Sequence, residues 1–323
     1  MTFDTITGHK QQKNILLRAL SSQRIAHAYL FSGPDGIGKR MMALAFARAL
    51  LCENGTSCGE CSACIKVGHN NHPDIHRLDA DDTSIKIDQI RTLQQELSLR
   101  PLEGSYKICL IDGAEHFTIG AANALLKTLE EPQPGTLIIL LTNRPEKLLP
   151  TIRSRCQHLP FSRLPKQQLA AILRQKLDLN DTEATVLAAL SEGSFKKALG
   201  PNQELFLEKR SKLIQSLSAL SSGSTIPTFS FADELDTEKE ILSDILDIFQ
   251  SFYRDLLLLK HDRPEEELVN LDLIEILQQQ NKSITTTSLL LKLKALESAR
   301  FHLQRNVNCR LAMEVMLMRI TAA

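Results

Sequence analysis

Short runs of consecutive apolar residues alternate with amphipathic segments through the first half of the chain. Near-continuous apolar runs are typical of strands buried on both faces, whereas apolar positions that recur every three or four residues indicate helices. The runs predict five strands: Ala28–Phe31, Asp74–Leu78, Ile108–Ile111, Leu137–Leu141 and His158–Phe161. The amphipathic segments predict three helices: Arg40–Leu51, Asp88–Leu99 and Ala121–Glu130. Strands separated by helices favour a parallel α/β sheet with flanking helices.

Beyond about residue 165 the strand pattern stops and helical spacing continues. Helices are predicted at Lys166–Leu177, at Asp181–Leu190 and over Ser288–Ala322. The stretch Ser216–Ser230, which contains Gly223 and Pro227, predicts an exposed connector. We therefore divide the chain into an α/β domain (1–163), a small helical domain (164–205) and an all-α C-terminal domain (206–323).

The composition excludes several classes of protein. Lys+Arg and Asp+Glu both number 38, so the net charge of zero argues against a protein that binds nucleic acid by charge alone. With 3 Tyr and no Trp, a broad aromatic platform for stacking single-stranded bases is not expected. No apolar run approaches the roughly 20 residues that a bilayer helix needs, and the first residues do not resemble an export signal. We expect a cytoplasmic protein without membrane contact.

A glycine-rich loop follows the first predicted strand and opens a helix. Its sequence contains Gly33, Gly36 and Gly38, followed by Lys39. Such a loop directs backbone N–H groups at phosphates, and the lysine reaches the outer phosphates. The motif and its strand–loop–helix context predict a P-loop fold.

Two positions that ATP hydrolysis requires are altered. A working P-loop has Ser or Thr after the lysine to hold Mg²⁺, but this chain has Arg40, which cannot ligate a cation. Asp112 ends a buried strand as the metal-side carboxylate, but Gly113 stands where a water-polarising Glu is normally found. Glu115 would substitute only if the loop were rebuilt. These changes predict a degenerate nucleotide site and weaken the case for ATP or ADP binding.

Four cysteines lie within thirteen residues, spaced C-x₅-C-x₂-C-x₂-C: Cys52, Cys58, Cys61 and Cys64. Disulfides are unfavourable in a reducing cytosol, whereas four nearby thiolates can surround one tetrahedral Zn²⁺. We predict a structural zinc module at 52–64, inserted after the P-loop helix.

Several further motifs carry a family resemblance. Asn143 follows a buried strand where a sensor of the γ-phosphate would stand, and Ser154-Arg155-Cys156 follows it. Together with Ala121–Pro132, His27–Phe31 and Phe252–Leu256, these motifs resemble the clamp-loader branch of the AAA+ proteins. The resemblance covers nearly the whole chain and is loosest over 216–284.

The resemblance implies an AAA+ P-loop core, a small helical lid and an all-α collar. Combined with the altered P-loop, it implies a non-hydrolysing stator of a bacterial DNA polymerase III clamp loader, active in DNA replication. Arg155 would then act as an arginine finger in the ATP site of a neighbouring subunit. The implied partners are the motor subunits (gamma/tau) and the delta subunit, with the sliding clamp and primer–template DNA contacted through the complex.

The family's lid pattern normally carries a sensor arginine, and this chain has Lys197 there, which keeps the charge but loses the bidentate fork. Two alternatives stay open at this point. One is an active ATPase that resembles the motor subunit, against which Arg40 and Gly113 count. The other is a zinc-dependent nucleic-acid-binding module, against which the zero net charge counts.

Overall fold

The chain folds into two compact units, Met1–Leu164 and Pro165–Ala323. The computed structural model describes residues 2–80, 84–200, 203–220, 225–303, 305 and 307–322. The predicted division of the second unit at residue 205 stays a prediction. Within the part of the chain that is described, no helix is long and apolar enough to cross a bilayer.

The first unit is built on a five-stranded sheet in which every pairing is parallel. Its strands are β1 (Ala28–Ser32), β2 (Ile75–Asp79), β3 (Lys107–Asp112), β4 (Thr136–Thr142) and β5 (Gln157–Pro160). The strand order is β2-β3-β4-β1-β5. All five predicted strands and the parallel arrangement are confirmed.

Helices cover both faces of this sheet and bury two separate apolar clusters. Successive side chains of β1 belong to different clusters: Phe31 packs on one face of the sheet and Leu30 on the other. The helices are α1 (Lys10–Ser21), α2 (Lys39–Leu51), α3 (Ser62–Gly68), α4 (Ile87–Ser98), α5 (Ile119–Glu130) and α6 (Pro150–Arg153). Burial on both faces explains why the strands have near-continuous apolar sequences.

The second unit contains helices and no strand among its described residues. A π-helical turn at Leu205–Lys209 leads directly into one of them. The helices are α7 (Lys166–Leu177), α8 (Asp181–Leu190), α9 (Phe195–Ala198), α10 (Arg210–Ala219), α11 (Thr225–Thr237), α12 (Leu242–Lys260), α13 (Ile274–Ser283), α14 (Thr286–Leu303) and α15 (Cys309–Ala322). The predicted Ser288–Ala322 segment thus forms two helices.

The predicted connector Ser216–Ser230 is wrong at both of its ends. Helix α10 continues to Ala219, and α11 begins at Thr225. Pro227 lies in the first turn of α11, where a missing N–H costs nothing, and the buried residues Thr228 and Phe231 hold that helix in the core. Gly223 lies outside the described residues.

A buried aspartate fixes the segment that follows α12. Asp255, which belongs to the Phe252–Leu256 motif, has no exposed surface. Its Oδ2 accepts hydrogen bonds from the backbone N–H of Val269 (3.0 Å), the backbone N–H of Asn270 (2.8 Å) and the Asn270 side-chain amide (2.7 Å). The aspartate of this motif therefore has a structural role, because it holds the backbone at Val269 and Asn270 within the second unit.

Asp74 likewise holds the backbone of the loop that precedes β3. Its carboxylate accepts the backbone N–H groups of Leu102 (2.6 Å), Glu103 (2.9 Å) and Gly104 (2.9 Å). Burial raises the pKa of Asp74, but these three donors outweigh it and hold the pKa below its ordinary value. The resulting stabilisation is present above about pH 4 and is lost as the pH falls through the folded-state pKa.

We expect Asp74→Ala to lower the free energy of unfolding by about 3 kcal/mol at pH 7, because three backbone N–H groups lose a buried, charged acceptor. Urea denaturation would measure the loss, which should shrink as the pH approaches the folded-state pKa. The control Asp88→Ala removes a carboxylate that is 84% exposed and should change stability by less than about 0.5 kcal/mol. Equal unfolding midpoints for the two variants would contradict this assignment.

Candidate functional site

The loop between β1 and α2 has the geometry of a P-loop. Gly36 and Gly38 adopt φ angles of +71° and +103°, a region that favours glycine. A Cβ at Gly33 would lie 2.2 Å from the Phe161 carbonyl oxygen, so no larger residue fits there. The predicted strand–loop–helix context is confirmed, and α2 begins at Lys39.

Lys39 is buried and folds back on its own loop. Its Nζ donates to the carbonyl oxygens of Gly33 (2.6 Å) and Pro34 (2.7 Å). Burial lowers the pKa of Lys39, while the carboxylates of Asp35, Asp112 and Glu115 act against that shift. The lysine therefore uses two of its donors to close the loop.

Arg40 lies between two carboxylates at the carboxyl edge of the sheet. Asp79 and Asp112 are register partners across the β2–β3 pair. The Arg40 guanidinium donates to Asp79 at 3.1 Å and to Asp112 at 3.5 Å. Burial raises the pKa of Asp112, and the repulsion from Asp79 adds to that effect, whereas Arg40 opposes it. A guanidinium thus compensates the carboxylate that would face Mg²⁺ in a working site.

Glu115 is turned toward the end of β4 by a 3₁₀ turn at Ala114–His116. Its Oε2 accepts a hydrogen bond of 2.7 Å from the Thr142 hydroxyl. Thr142 is buried, whereas Asn143, the predicted sensor, is exposed. No pattern in the sequence indicated the contact between Thr142 and Glu115. The role of Asn143 stays a prediction.

Lys197 is held by acidic side chains of its own unit. Its Nζ lies 2.8 Å from Asp247 and 3.3 Å from Asp244, both on α12, and Arg300 also pairs with Asp247 at 2.6 Å. Burial alone would lower the pKa of Lys197, but the two aspartates raise it above its ordinary value. The charge of the sensor-like lysine is therefore compensated within the second unit.

Arg155 lies in the turn between α6 and β5. Its Nη1 donates to the Thr151 carbonyl oxygen at 3.0 Å, and its Nη2 lies 2.8 Å from Oε1 of Glu130, the last residue of α5. The side chain of Arg155 is 37% exposed. Burial raises the pKa of the neighbouring Cys156 to about 12, because that thiol packs beside the core. The finger role of Arg155 stays a prediction, and its contact with Glu130 was not predicted from the sequence.

The four clustered cysteines converge between α2 and α3. Their sulfurs all lie within 4.8 Å of one another, with separations of 3.6 Å (Cys52–Cys58), 3.9 Å (Cys58–Cys64) and 3.9 Å (Cys61–Cys52). Sulfurs at tetrahedral positions around a Zn²⁺ ion, each 2.3 Å from it, would be about 3.8 Å apart. The arrangement thus fits a metal ion with four thiolate ligands.

The surroundings of the cluster favour the thiolate at Cys52 and disfavour it at Cys64. Backbone N–H groups point at three of the sulfurs, as in the bond from Cys64 N–H to Cys61 at 3.5 Å, which also caps α3. Burial would raise the pKa of Cys52, but hydrogen bonds from residues 54, 56 and 58 bring it to about 6. Burial raises the pKa of Cys64 to about 11, although a hydrogen bond from the Arg48 guanidinium acts to lower it. Arg48 is the nearby cation that would offset a negative metal–thiolate centre.

Comparison with known proteins identifies the family. A model described as "DNA polymerase III, delta subunit" matches residues 8–165, and one described as "DNA polymerase III, delta subunit, C terminal" matches residues 204–322. DNA polymerase III subunit delta-prime of Bacillus subtilis is 33% identical over 305 residues, which are 93% of this chain and 92% of the relative. The chain belongs to the delta-prime family of DNA polymerase III subunits. The predicted resemblance to a bacterial DNA polymerase III subunit is confirmed.

Two further relatives match shorter stretches of this chain. The delta-prime subunit of Pseudomonas aeruginosa is 43% identical over 136 residues, which are 41% of this chain and 42% of the relative. The tau subunit of Bacillus subtilis is 34% identical over 205 residues, which are 61% of this chain and 36% of tau. The chain is thus similar over part of its length to a second class of DNA polymerase III subunit.

We expect Arg40→Thr to tighten the binding of Mg²⁺·ATP to this chain at least about tenfold. The threonine restores a metal-binding hydroxyl and releases Asp112 from its guanidinium partner. Titration calorimetry with and without Mg²⁺ would measure the change. Arg24→Thr removes the same charge from an exposed position and serves as the control. A wild-type chain that already binds Mg²⁺·ATP as tightly as the variant would contradict the expectation.

Proposed function

We propose that this chain is the stator subunit of a bacterial DNA polymerase III clamp loader, which does not hydrolyse ATP but supplies an arginine finger to a neighbouring ATPase subunit. Membership of the delta-prime family supports the assignment to the polymerase. The observation that carries the non-hydrolysing role is the pairing of Arg40 with Asp112 and Asp79.

Hydrolysis would need a metal and a polarised water, and Arg40 and Gly113 stand at the two positions that normally provide for them. A guanidinium donates hydrogen bonds only, so Arg40 repels the cation that a hydroxyl at that position would bind. Gly113 offers no carboxylate, and Glu115 already accepts the Thr142 hydroxyl. These contacts favour the stator over an active ATPase, the reading that the similarity to tau would otherwise support.

Arg155 would act in the ATP site of the neighbour. A planar guanidinium stabilises the charge that spreads over the transferring phosphoryl group, and an arginine supplied in trans raises the rate by about 10³–10⁵-fold. The partial exposure of Arg155 and its fixed backbone suit such a role. In this proposal the partners are the gamma/tau motor subunits and the delta subunit, with the sliding clamp and primer–template DNA reached through the complex during replication.

We further propose that Cys52, Cys58, Cys61 and Cys64 bind one structural Zn²⁺. Four protein ligands leave no open position on a tetrahedral ion, so the metal would stabilise the 52–64 module and take no part in catalysis. Three sulfur separations of 3.6–3.9 Å, with all four sulfurs within 4.8 Å of one another, support this donor set.

In a clamp loader reconstituted with partner subunits from the same organism, Arg155→Ala should leave assembly intact. It should lower DNA- and clamp-stimulated ATP hydrolysis partially, because only one motor site would lose its arginine. Clamp loading should fall further, since it needs the sites to act together. Arg155→Lys should rescue poorly, because an ammonium lacks the planar fork.

Arg153→Ala, two residues away and exposed, is the control for that experiment and should load clamps at the wild-type rate. An unchanged loading rate with Arg155→Ala would remove the arginine-finger role. Turnover by the isolated chain approaching about 1 s⁻¹ would instead favour an active ATPase.

One equivalent of Zn²⁺ should copurify with the wild-type chain, as measured by elemental analysis of a reduced preparation. Cys61→Ser should lower the zinc content, because a hydroxyl replaces one of four thiolates. Cys309→Ser changes a cysteine outside the cluster and should keep the full equivalent. Less than about half an equivalent in the wild type would indicate free thiols.

A further inference from the structure

The contact between Arg155 and Glu130 joins two segments that are both fixed by the core. Glu130 ends α5, whose residues Leu125 and Leu129 are buried against the sheet. Arg155 stands between the fully buried Ile152 and the core-facing Cys156. The backbone positions of the two charged residues are therefore set independently of their ion pair.

Stability does not account for this ion pair. The side chains of Arg155 and Glu130 are 37% and 49% exposed, and ion pairs between exposed side chains contribute little to folding. The pair does restrict the Arg155 side chain, which would otherwise sample many rotamers. Two acceptors, the Glu130 carboxylate and the Thr151 carbonyl, restrict the direction of the guanidinium.

The same two contacts leave part of the guanidinium available. Of its five N–H groups, two are used by Glu130 and Thr151, and three have no protein partner among the described residues. The N–H groups that remain, on Nε, Nη1 and Nη2, are donors of the kind that phosphate oxygens accept. Preorganisation of this kind lowers the entropy that must be lost when the neighbouring subunit docks.

We propose that Glu130 is a positioning residue for Arg155: it holds the guanidinium in the orientation that the phosphates of the neighbouring subunit require. This inference rests on the proposed arginine-finger role. Glu130 touches neither nucleotide nor metal and acts only through Arg155.

The test uses the reconstituted clamp loader and measures clamp loading and stimulated ATP hydrolysis. Glu130→Ala should slow clamp loading about three- to tenfold while assembly, followed by size exclusion, stays unchanged. Glu130→Gln keeps an acceptor oxygen without the charge and should be intermediate. In an Arg155→Ala background, Glu130→Ala should cause no further loss, because its effect passes through the missing guanidinium.

Glu131→Ala is the matched control, since it removes the next carboxylate along the chain and leaves the Arg155 pair in place. Faster loading with Glu130→Ala would overturn the proposal and identify Glu130 as a restraint on Arg155. An unchanged rate, or a loss that persists in the Arg155→Ala background, would also overturn it while leaving the arginine finger standing. Only a normal rate with Arg155→Ala alone would overturn the proposed function as well.

Discussion

Asp79 and Asp112 end adjacent parallel strands as register partners, and their mutual repulsion requires a cation between them. In a working P-loop a metal ion held by a hydroxyl can meet that requirement. In this chain Arg40 meets it from the first turn of α2, with a charge that is part of the protein and always present. The proposed absence of ATP hydrolysis follows from Arg40, because its guanidinium and a catalytic Mg²⁺ would compete for the same carboxylates.

Arginine carries two different tasks in the first unit. Arg40 pairs with two carboxylates, whereas Arg155 has one carboxylate and one carbonyl partner among the described residues and keeps several donors free. The difference lies in what surrounds each guanidinium rather than in its own chemistry. In the second unit, Lys197 between Asp244 and Asp247 resembles Arg40 in this respect, because its charge is compensated inside the fold.

Hydrophobic patterning predicted the elements well wherever one signal dominated. The bounds of Lys166–Leu177 and Asp181–Leu190 agree with the observed helices, and the five strands differ by only one or two residues at their ends. Prediction failed over 216–230, where Ser, Thr, Gly and Pro suggested a connector, while buried residues such as Phe231 stabilise α11 through tertiary packing. Local propensity is a weak guide when the packing partner comes from elsewhere in the chain.

The sequence by itself determined the P-loop, the loss of the metal-binding hydroxyl at Arg40, the four-cysteine spacing and the candidate Arg155, because each of these is a local pattern. Only the tertiary structure decided the partners of those residues. Asp79 and Asp112 lie 39 and 72 positions from Arg40, and Glu115 lies 27 positions from Thr142. Glu130 reaches Arg155 only because α5 and α6 pack together. Spacing along a chain reveals contacts within a loop or helix, whereas contacts across a sheet edge depend on strand order, which no local pattern encodes.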